Sequence, residues 1–272
     1  MDKTKPIRRD SANTRIFDER SLETDYRTLK PLLKKGWRVL DVGCGTGAIS
    51  RDIAACVGPS GSVTGIDNTE KFILSGRESY GDVPNLELQS IDLFDYEAAE
   101  PFDLVVSARV LQWLHNPAAA IQKMKSLLRP GGIISILDYD HTSLEWVPDP
   151  PESMRQFYAV FLKWRADAGM DNRMAENLPA LLKEAGFQSI EKINSDEHYH
   201  RGRPDYLSKA GIWAKVAGLK QIVEEGYLPE TLRLKAIADY TEWVDKTSVS
   251  MTMKLNDVRG IKEVQGDNQS RA

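Results

Sequence analysis

Short apolar, β-branched runs alternate with helical periods along most of this chain, beginning near residue 36. Runs at Arg38–Val42, Ser62–Asp67, Leu86–Ser90, Phe102–Ser107 and Gly132–Leu137 read as strands, and helical spacing fills the intervals around 47–57, 69–80 and 117–128. Alternation of this kind builds parallel βαβ units, so the predicted fold class is α/β, a Rossmann-like doubly wound sheet. After Leu137 the rhythm breaks. Pro148, Pro150 and Pro151 interrupt the chain, and an aromatic helix is predicted from Glu152 to about Ala168. The core pattern resumes with a helix over Leu178–Ala185, closed by Gly186 as a left-handed cap, and a strand over Ser189–His198. Residues 204–246 read as two or three helices, with Pro229 and Glu230 suited to a helix start, before a last strand near Val249–Ile261. The expected organisation is one domain over residues 1–264. Its core occupies about 36–141 and 175–264, helical insertions occupy about 142–174 and 204–247, and a flexible tail covers 265–272. The polar residues 1–14 are expected to fray.

The densest local signal is WRVLDVGCGTGAISRDIA, in which Gly43, Gly45 and Gly47 crowd the end of the first strand just before a helix. Glycines there let backbone approach a ligand closely, and the first turn of the helix offers amide N–H groups. Gly43, Gly45 and Ala48 satisfy the dinucleotide pattern G-x-G-x-x-G/A, and Asp67 falls near the spacing of a ribose-binding acid, which makes an NAD-dependent oxidoreductase one reading. Asp41 opposes it, because a carboxylate two residues before the first glycine repels a pyrophosphate. The same carboxylate attracts an ammonium group. S-adenosylmethionine carries an α-amino group, a carboxylate and a sulfonium, so one acid among backbone N–H donors suits its methionine end.

Beyond the loop come GID, IDLFDY, FDLVVSARVLQWLHNP and LLRPGGIISI, in that order. Together with LDVGCGTG they resemble the motifs of class I S-adenosylmethionine-dependent methyltransferases, in particular the ubiquinone/menaquinone-biosynthesis-like branch that acts on small molecules. The resemblance is close over residues 37–137, looser over 178–198 and almost absent from the two insertions. It implies a seven-stranded sheet, mostly parallel, with a sixth strand and an antiparallel seventh, and the donor lying across the C-terminal strand ends. On the matching positions, Gly43, Gly45 and Gly47 would wrap the methionine end beside Asp41. Asp67 would accept both ribose hydroxyls, with Asn68 beside it. Asp92 would meet the adenine amino group, with Ile91 and Leu93 lining the base, and Ala108 and Arg109 would border the methionine moiety through their backbone. Three of these acids also have purely structural readings: Asp41 pinning a turn, Asp67 capping the next helix, and Asp92 as a solvated turn acid beside Asp95.

The implied reaction moves the methyl group of S-adenosylmethionine to an acceptor by in-line displacement, leaving S-adenosylhomocysteine. Alignment supplies much of the rate, so no protein nucleophile is required. A base matters only where the acceptor must lose a proton. His115 after the fourth strand, and Tyr139, Asp140 and His141 after the fifth, are placed for that role, with His141 the first choice for its near-neutral titration. A backbone-bonded loop histidine is the competing reading of His141. In the first insertion Phe157, Phe161 and Trp164 recur at helical spacing, and Tyr158, Arg165 and Asp167 are its polar groups. Arg165 is expected on a solvated face with Asp167 unless it pairs with an anionic acceptor. His198, Tyr199, His200 and Arg201 would close the sixth strand.

Composition narrows the partners. Acids outnumber bases 40 to 36, giving a net charge of −4 and no basic field for a phosphate backbone, so nucleic acid is disfavoured and a small-molecule acceptor expected. No stretch has the length of a membrane span, and no leader pattern opens the chain, so a cytoplasmic protein without membrane contact is expected, as monomer or homodimer. Two cysteines, Cys44 and Cys56, make neither a disulfide framework nor a metal site. The oxidoreductase alternative lacks a downstream Tyr and Lys pair at helical spacing. A non-catalytic S-adenosylmethionine-binding protein is the third reading.

Overall fold

In the computed structural model, which describes residues 20–264, the strands of the sheet form at the short apolar runs. The chain divides into two compact units, and the first of them holds described residues 20–138, 174–195 and 256–264. In chain order this unit opens with a short helix α1 (Leu22–Asp25), followed by β1 (Arg38–Val42), α2 (Ala48–Val57), β2 (Ser62–Asp67), α3 (Glu70–Tyr80), β3 (Leu86–Ser90), β4 (Phe102–Ala108) and α4 (Pro117–Leu127). The first eleven residues of β5 (Leu128–Val147) follow. α6 (Met174–Glu184), β6 (Phe187–Asn194) and the end of β8 (Ser250–Lys262) complete it. The strand order is β3-β2-β1-β4-β5-β8-β6. β1 pairs in parallel with both β2 and β4, β3 and β5 extend the sheet in parallel, and β8 runs antiparallel to β6. This is the doubly wound arrangement predicted, and it puts the ends of β1, β2 and β4 side by side where the order reverses.

Apolar residues from the strands and from α4 and α6 build one core: Leu40, Ile66, Val105 and Ile134 meet Ile121, Met124, Leu178 and Leu182, all buried. Asn116 caps α4 by accepting from the Ala119 N–H (3.0 Å), with Pro117 at the first helical position. α6 starts four residues earlier than the sequence suggests, at Met174, with Pro179 inside it. Proline cannot serve the Ala175 carbonyl one turn back, and that oxygen accepts from Asn256 Nδ2 instead (3.4 Å). Gly186 closes α6 at φ 76°, as its sequence position suggests.

The second unit holds Tyr139–Arg173 and Asp196–Leu255. It contains the rest of β5, α5 (Glu152–Asp167), β7 (Glu197–His200), four helices α7 (Tyr206–Ala210), α8 (Ile212–Val216), α9 (Gln221–Glu224) and α10 (Glu230–Lys246), and the start of β8. Four helices therefore stand where two or three are expected. The single strand expected over Ser189–His198 is broken. β6 pairs with the later part of β8 and β7 with its earlier part, which brings the strand count to eight. The break falls at Asp196, whose Oδ1 accepts from the Leu255 N–H (3.1 Å) and so replaces a ladder carbonyl with a side chain. β5 also runs well past its expected end at Leu137, so Tyr139, Asp140 and His141 lie within a strand. The expected fraying ends, 1–14 and 265–272, lie outside the described residues. No helix among the described residues is long and apolar enough to cross a membrane.

Candidate active site

The chain leaves β1 through Gly43, Gly45 and Gly47, whose φ angles of 72°, 59° and 80° are left-handed. A side chain at Gly43 would also meet Val110 Cγ2 at 2.4 Å. The amides of this turn are already engaged. Gly43 and Cys44 both donate to the Ile66 carbonyl (2.8 and 3.1 Å), and Gly47 donates to the Cys44 carbonyl (3.0 Å). Gly45 donates to Asp67 Oδ2 (3.0 Å), and Asp67 Oδ1 accepts from the Thr69 N–H (2.9 Å). These four N–H groups are thus satisfied within the protein. Asp67 keeps capacity, since a carboxylate offers about four lone pairs and two are used. Its local bond to Thr69 and a role toward ribose hydroxyls are compatible.

Asp41 sits near the end of β1, 4% exposed, and accepts from Ser50 Oγ on α2 (2.6 Å). Burial pushes its carboxyl up to about 6, the Ser50 hydroxyl opposes the rise, and the charge of Asp67 adds to it. A cation beside Asp41 would reverse this penalty, which makes the position a receptor for positive charge. Asp41, Gly43, Gly45 and Ala108 come together with Arg20 and Ile49 around a small open cleft. Burial, with Asp41 and Asp67 adding, drives the Cys44 thiol well above its ordinary range, so this cysteine on the cleft wall is no nucleophile. Arg20 escaped the sequence reading because it lies ahead of the periodic pattern. Thr46 escaped it although it stands inside the motif: it is 1% exposed, and among the described residues its Oγ1 has no hydrogen-bond partner.

The remaining candidates lie along neighbouring strand ends. Ile91 donates its N–H to the Asp67 carbonyl (3.1 Å), and Ile91 and Leu93 pack half-buried against the core. Asp92 Oδ1 accepts from the Phe94 N–H (2.9 Å), a local turn bond. Asn68 is exposed. Arg109 follows β4 at φ 62°, a strained position for a side-chain-bearing residue. Its N–H donates to the Leu137 carbonyl (2.7 Å), and its Nη2 donates to the Asp25 carbonyl of α1 (2.8 Å). His115 is exposed in the loop before α4.

His141 belongs to the second unit and is 5% exposed. Its N–H donates to the Asn172 carbonyl (2.8 Å), and its own carbonyl accepts from Tyr158 Oη (2.6 Å). The ring stands edge-on to Phe161 and Trp213, with centroids at 6.2 and 6.0 Å, and 5.3 Å from Tyr139. Burial and then the Arg165 charge hold the imidazole well below its usual range, so it is neutral at pH 7. Arg165 is fully buried, its Nε donating to Asn172 Oδ1 (2.8 Å) and its guanidinium 5.5 Å from the Phe161 ring. The solvated face expected for it is therefore corrected. Asp167 instead takes Lys163 and Tyr227 (2.5 and 3.0 Å). Among the described residues no group of three or more His, Cys, Asp or Glu could hold a metal ion.

Residues 33–199 match a family model described as a methyltransferase domain, Methyltransf_31. The chain belongs to this methyltransferase family. It is 27% identical over 201 residues to a demethylmenaquinone methyltransferase of Staphylococcus aureus, a match covering 66% of this chain and 80% of that one. Its fold resembles that of phosphoethanolamine N-methyltransferase 2 of Haemonchus contortus, at a TM-score of 0.56 and 17% identity, over 89% of this chain and 52% of that one. The chain thus spans about half the length of the Haemonchus enzyme. It also resembles the YcgJ protein of Bacillus subtilis, at a TM-score of 0.57 and 15% identity, over 89% and 98% of the two chains. The family match agrees with the resemblance to class I S-adenosylmethionine-dependent methyltransferases seen in the sequence. The residues present fit that donor: Asp41 suits its ammonium, Asp67 its ribose hydroxyls, and the buried Thr46 hydroxyl can pair with a polar group entering the loop. Nothing in these findings favours the NAD-dependent oxidoreductase.

Proposed function

We propose that this methyltransferase transfers the methyl group of S-adenosylmethionine to a small organic acceptor by in-line displacement. The observation that carries the donor assignment is the buried, raised Asp41 carboxyl on the same cleft as the left-handed glycine turn, with Asp67 held beside it by Gly45. When bound, the donor supplies a methyl group made electrophilic by its sulfonium. The chain's own part is to fix the two ends of the donor: Asp41 and the glycine turn at the methionine end, Asp67 and Asn68 at the ribose, and Ile91, Asp92 and Leu93 at the base. Ala108 and Arg109 would flank the methionine moiety through their backbone.

The small acceptor is supported by the net charge of −4 and by the names of the relatives, which are a quinone-precursor and a phosphoethanolamine methyltransferase. His141 is the candidate base. It is neutral and so able to take a proton, but its low pKa makes it a weak base, matched to an acceptor whose own proton is acidic. We take the protein to be a single methyltransferase domain with helical insertions, working in the cytoplasm as a monomer or homodimer.

Calorimetric titration with S-adenosylmethionine, S-adenosylhomocysteine and NAD under one buffer tests the donor assignment. Saturable binding of both adenosyl ligands is expected, and binding of NAD alone would overturn it. Acceptors are then screened by release of S-adenosylhomocysteine. His141→Ala should slow turnover roughly 10²-fold or more with donor affinity unchanged, and undiminished turnover would remove the base assignment.

A further inference from the structure

In the second unit, Trp213 on α8 is 2% exposed, and among the described residues its indole N–H has no hydrogen-bond partner. A donor buried in that state is costly until something arrives to accept from it. Other indoles of the unit are provided for: Trp146 Nε1 donates to Tyr240 Oη (3.0 Å) and Trp164 Nε1 to Glu225 Oε2 (2.7 Å). Trp243 also lacks a partner among the described residues, but the ring it stacks on, Tyr240, has its hydroxyl engaged with Trp146 and the Ala210 carbonyl. Trp213 stands instead 6.0 Å from the His141 ring, with Phe161 at 5.9 Å and Tyr158 at 4.8 Å, and the Tyr158 hydroxyl is spent on the His141 carbonyl. An unserved donor and the candidate base therefore share one aromatic wall. Two of its rings are only half-buried, Tyr139 beside His141 and Trp146 beside Trp213.

An indole N–H only donates, so the partner it lacks carries a lone pair. A hydroxyl oxygen has two, one for the indole and one for the methyl carbon. A neutral amine has a single pair, which attack consumes, and an ammonium has none. The Arg165 charge, which with burial keeps the imidazole neutral, opposes a cationic acceptor as well. We infer that Trp213 and His141 together hold an acidic hydroxyl, an enol or a phenol, and that the methyl group goes to its oxygen. This rests on the His141 base proposed above and deepens it by naming the atom that is methylated. In the step, His141 takes the hydroxyl proton, the oxygen–methyl bond forms as the sulfur–methyl bond breaks, and the sulfur keeps the electron pair in S-adenosylhomocysteine. The proton then passes from His141 to water.

The protein with S-adenosylmethionine is offered 4-nitrophenol, 4-hydroxybenzoate and 1,3-cyclohexanedione as acidic hydroxyls, against benzyl alcohol, benzylamine and thiophenol. Release of S-adenosylhomocysteine is expected from the first group, with magnetic resonance of the product placing the methyl on oxygen. Trp213→Phe should raise KM for the hydroxyl about 10-fold while S-adenosylhomocysteine affinity stays within about twofold. Replacing Trp213 by benzothienylalanine, which exchanges the N–H for sulfur in the same shape, should have the same effect and so separates the lost donor from a packing defect. Preference for the amine or the thiol, a methyl group on carbon, an unchanged KM in the isosteric variant, or no turnover of any hydroxyl by protein that binds the donor would each overturn the inference. Turnover that survives His141→Ala would instead remove the base reading on which it stands.

Discussion

Asp41 is ionised at pH 7 against the preference of its surroundings. Its carboxyl titrates near 6 in the folded chain against an ordinary 3.8, a difference worth about 3 kcal/mol once both states are ionised. The sign follows from the order of the two values. The folded state takes the proton more readily, so the group stabilises nothing at neutral pH and its cost grows as pH rises from about 4 through 6. Asp41→Asn should therefore stabilise the ligand-free protein by about 1 to 3 kcal/mol in urea titrations at pH 7.5, while weakening S-adenosylhomocysteine binding by about 10²-fold. A variant that lost stability as well as affinity would show that Asp41 is a structural acid. Asp67 differs in kind, since two backbone N–H groups hold it in place before any ligand arrives. One residue is kept uncomfortable and the other satisfied.

At the scale of elements, the glycine loop is shaped by helices and strands far from it in sequence. Gly76 lies inside α3, where alanine would ordinarily be preferred by about 1 kcal/mol. A Cβ there would stand 2.2 Å from the Thr46 carbonyl oxygen and 2.8 Å from Leu88 Cδ1. Gly65 in β2 gives way in the same manner to Cys44 Sγ, at 2.9 Å. Gly76→Ala should therefore destabilise by about 1 to 3 kcal/mol despite its better helix propensity, and it should weaken donor binding because Thr46 belongs to the loop. Urea unfolding and calorimetry on the one variant test both, and a stabilised Gly76→Ala protein would mean that the loop moves aside freely. In α5, the stripe Met154, Phe157, Tyr158, Phe161, Trp164 and Arg165 is buried at helical spacing. An arginine on an apolar stripe reads as a solvated residue until the partner that receives it, here Asn172, is known.

Across the whole molecule, two buried groups give stability opposite dependences on pH. His141 titrates well below its ordinary 6.5 when folded, so its contribution is present above that pH and is lost as pH falls and the unfolded chain takes up a proton first. Asp41 works the other way, as argued above. Urea midpoints measured between pH 8 and pH 5 should show His141→Phe gaining on the wild type as pH falls below 6.5, and the lead of Asp41→Asn shrinking over the same range. Parallel profiles for all three proteins would mean that neither group is as buried as described.

Most of the sheet was legible in the sequence, because the strands from Arg38 to Ser107 are short runs with regularly placed apolar residues bounded by turn residues, and local pattern alone sets such elements. The motif acids and glycines were legible for the same reason: Asp41, Gly43, Gly45 and Asp67 lie at short, regular distances from strand ends. Other features depend on partners remote in the chain, and no local pattern carries those. The break at Asp196 is made by the Leu255 amide, the early start of α6 is relieved by Asn256, and Arg165 is buried because Asn172 meets it. His141 looked like a loop histidine and is a strand residue in an aromatic wall, since β5 runs on past Leu137. Only the folded chain places Arg20 against the glycine turn, because bonds from residues 21 and 22 to Asp25 and Asp52 hold it there.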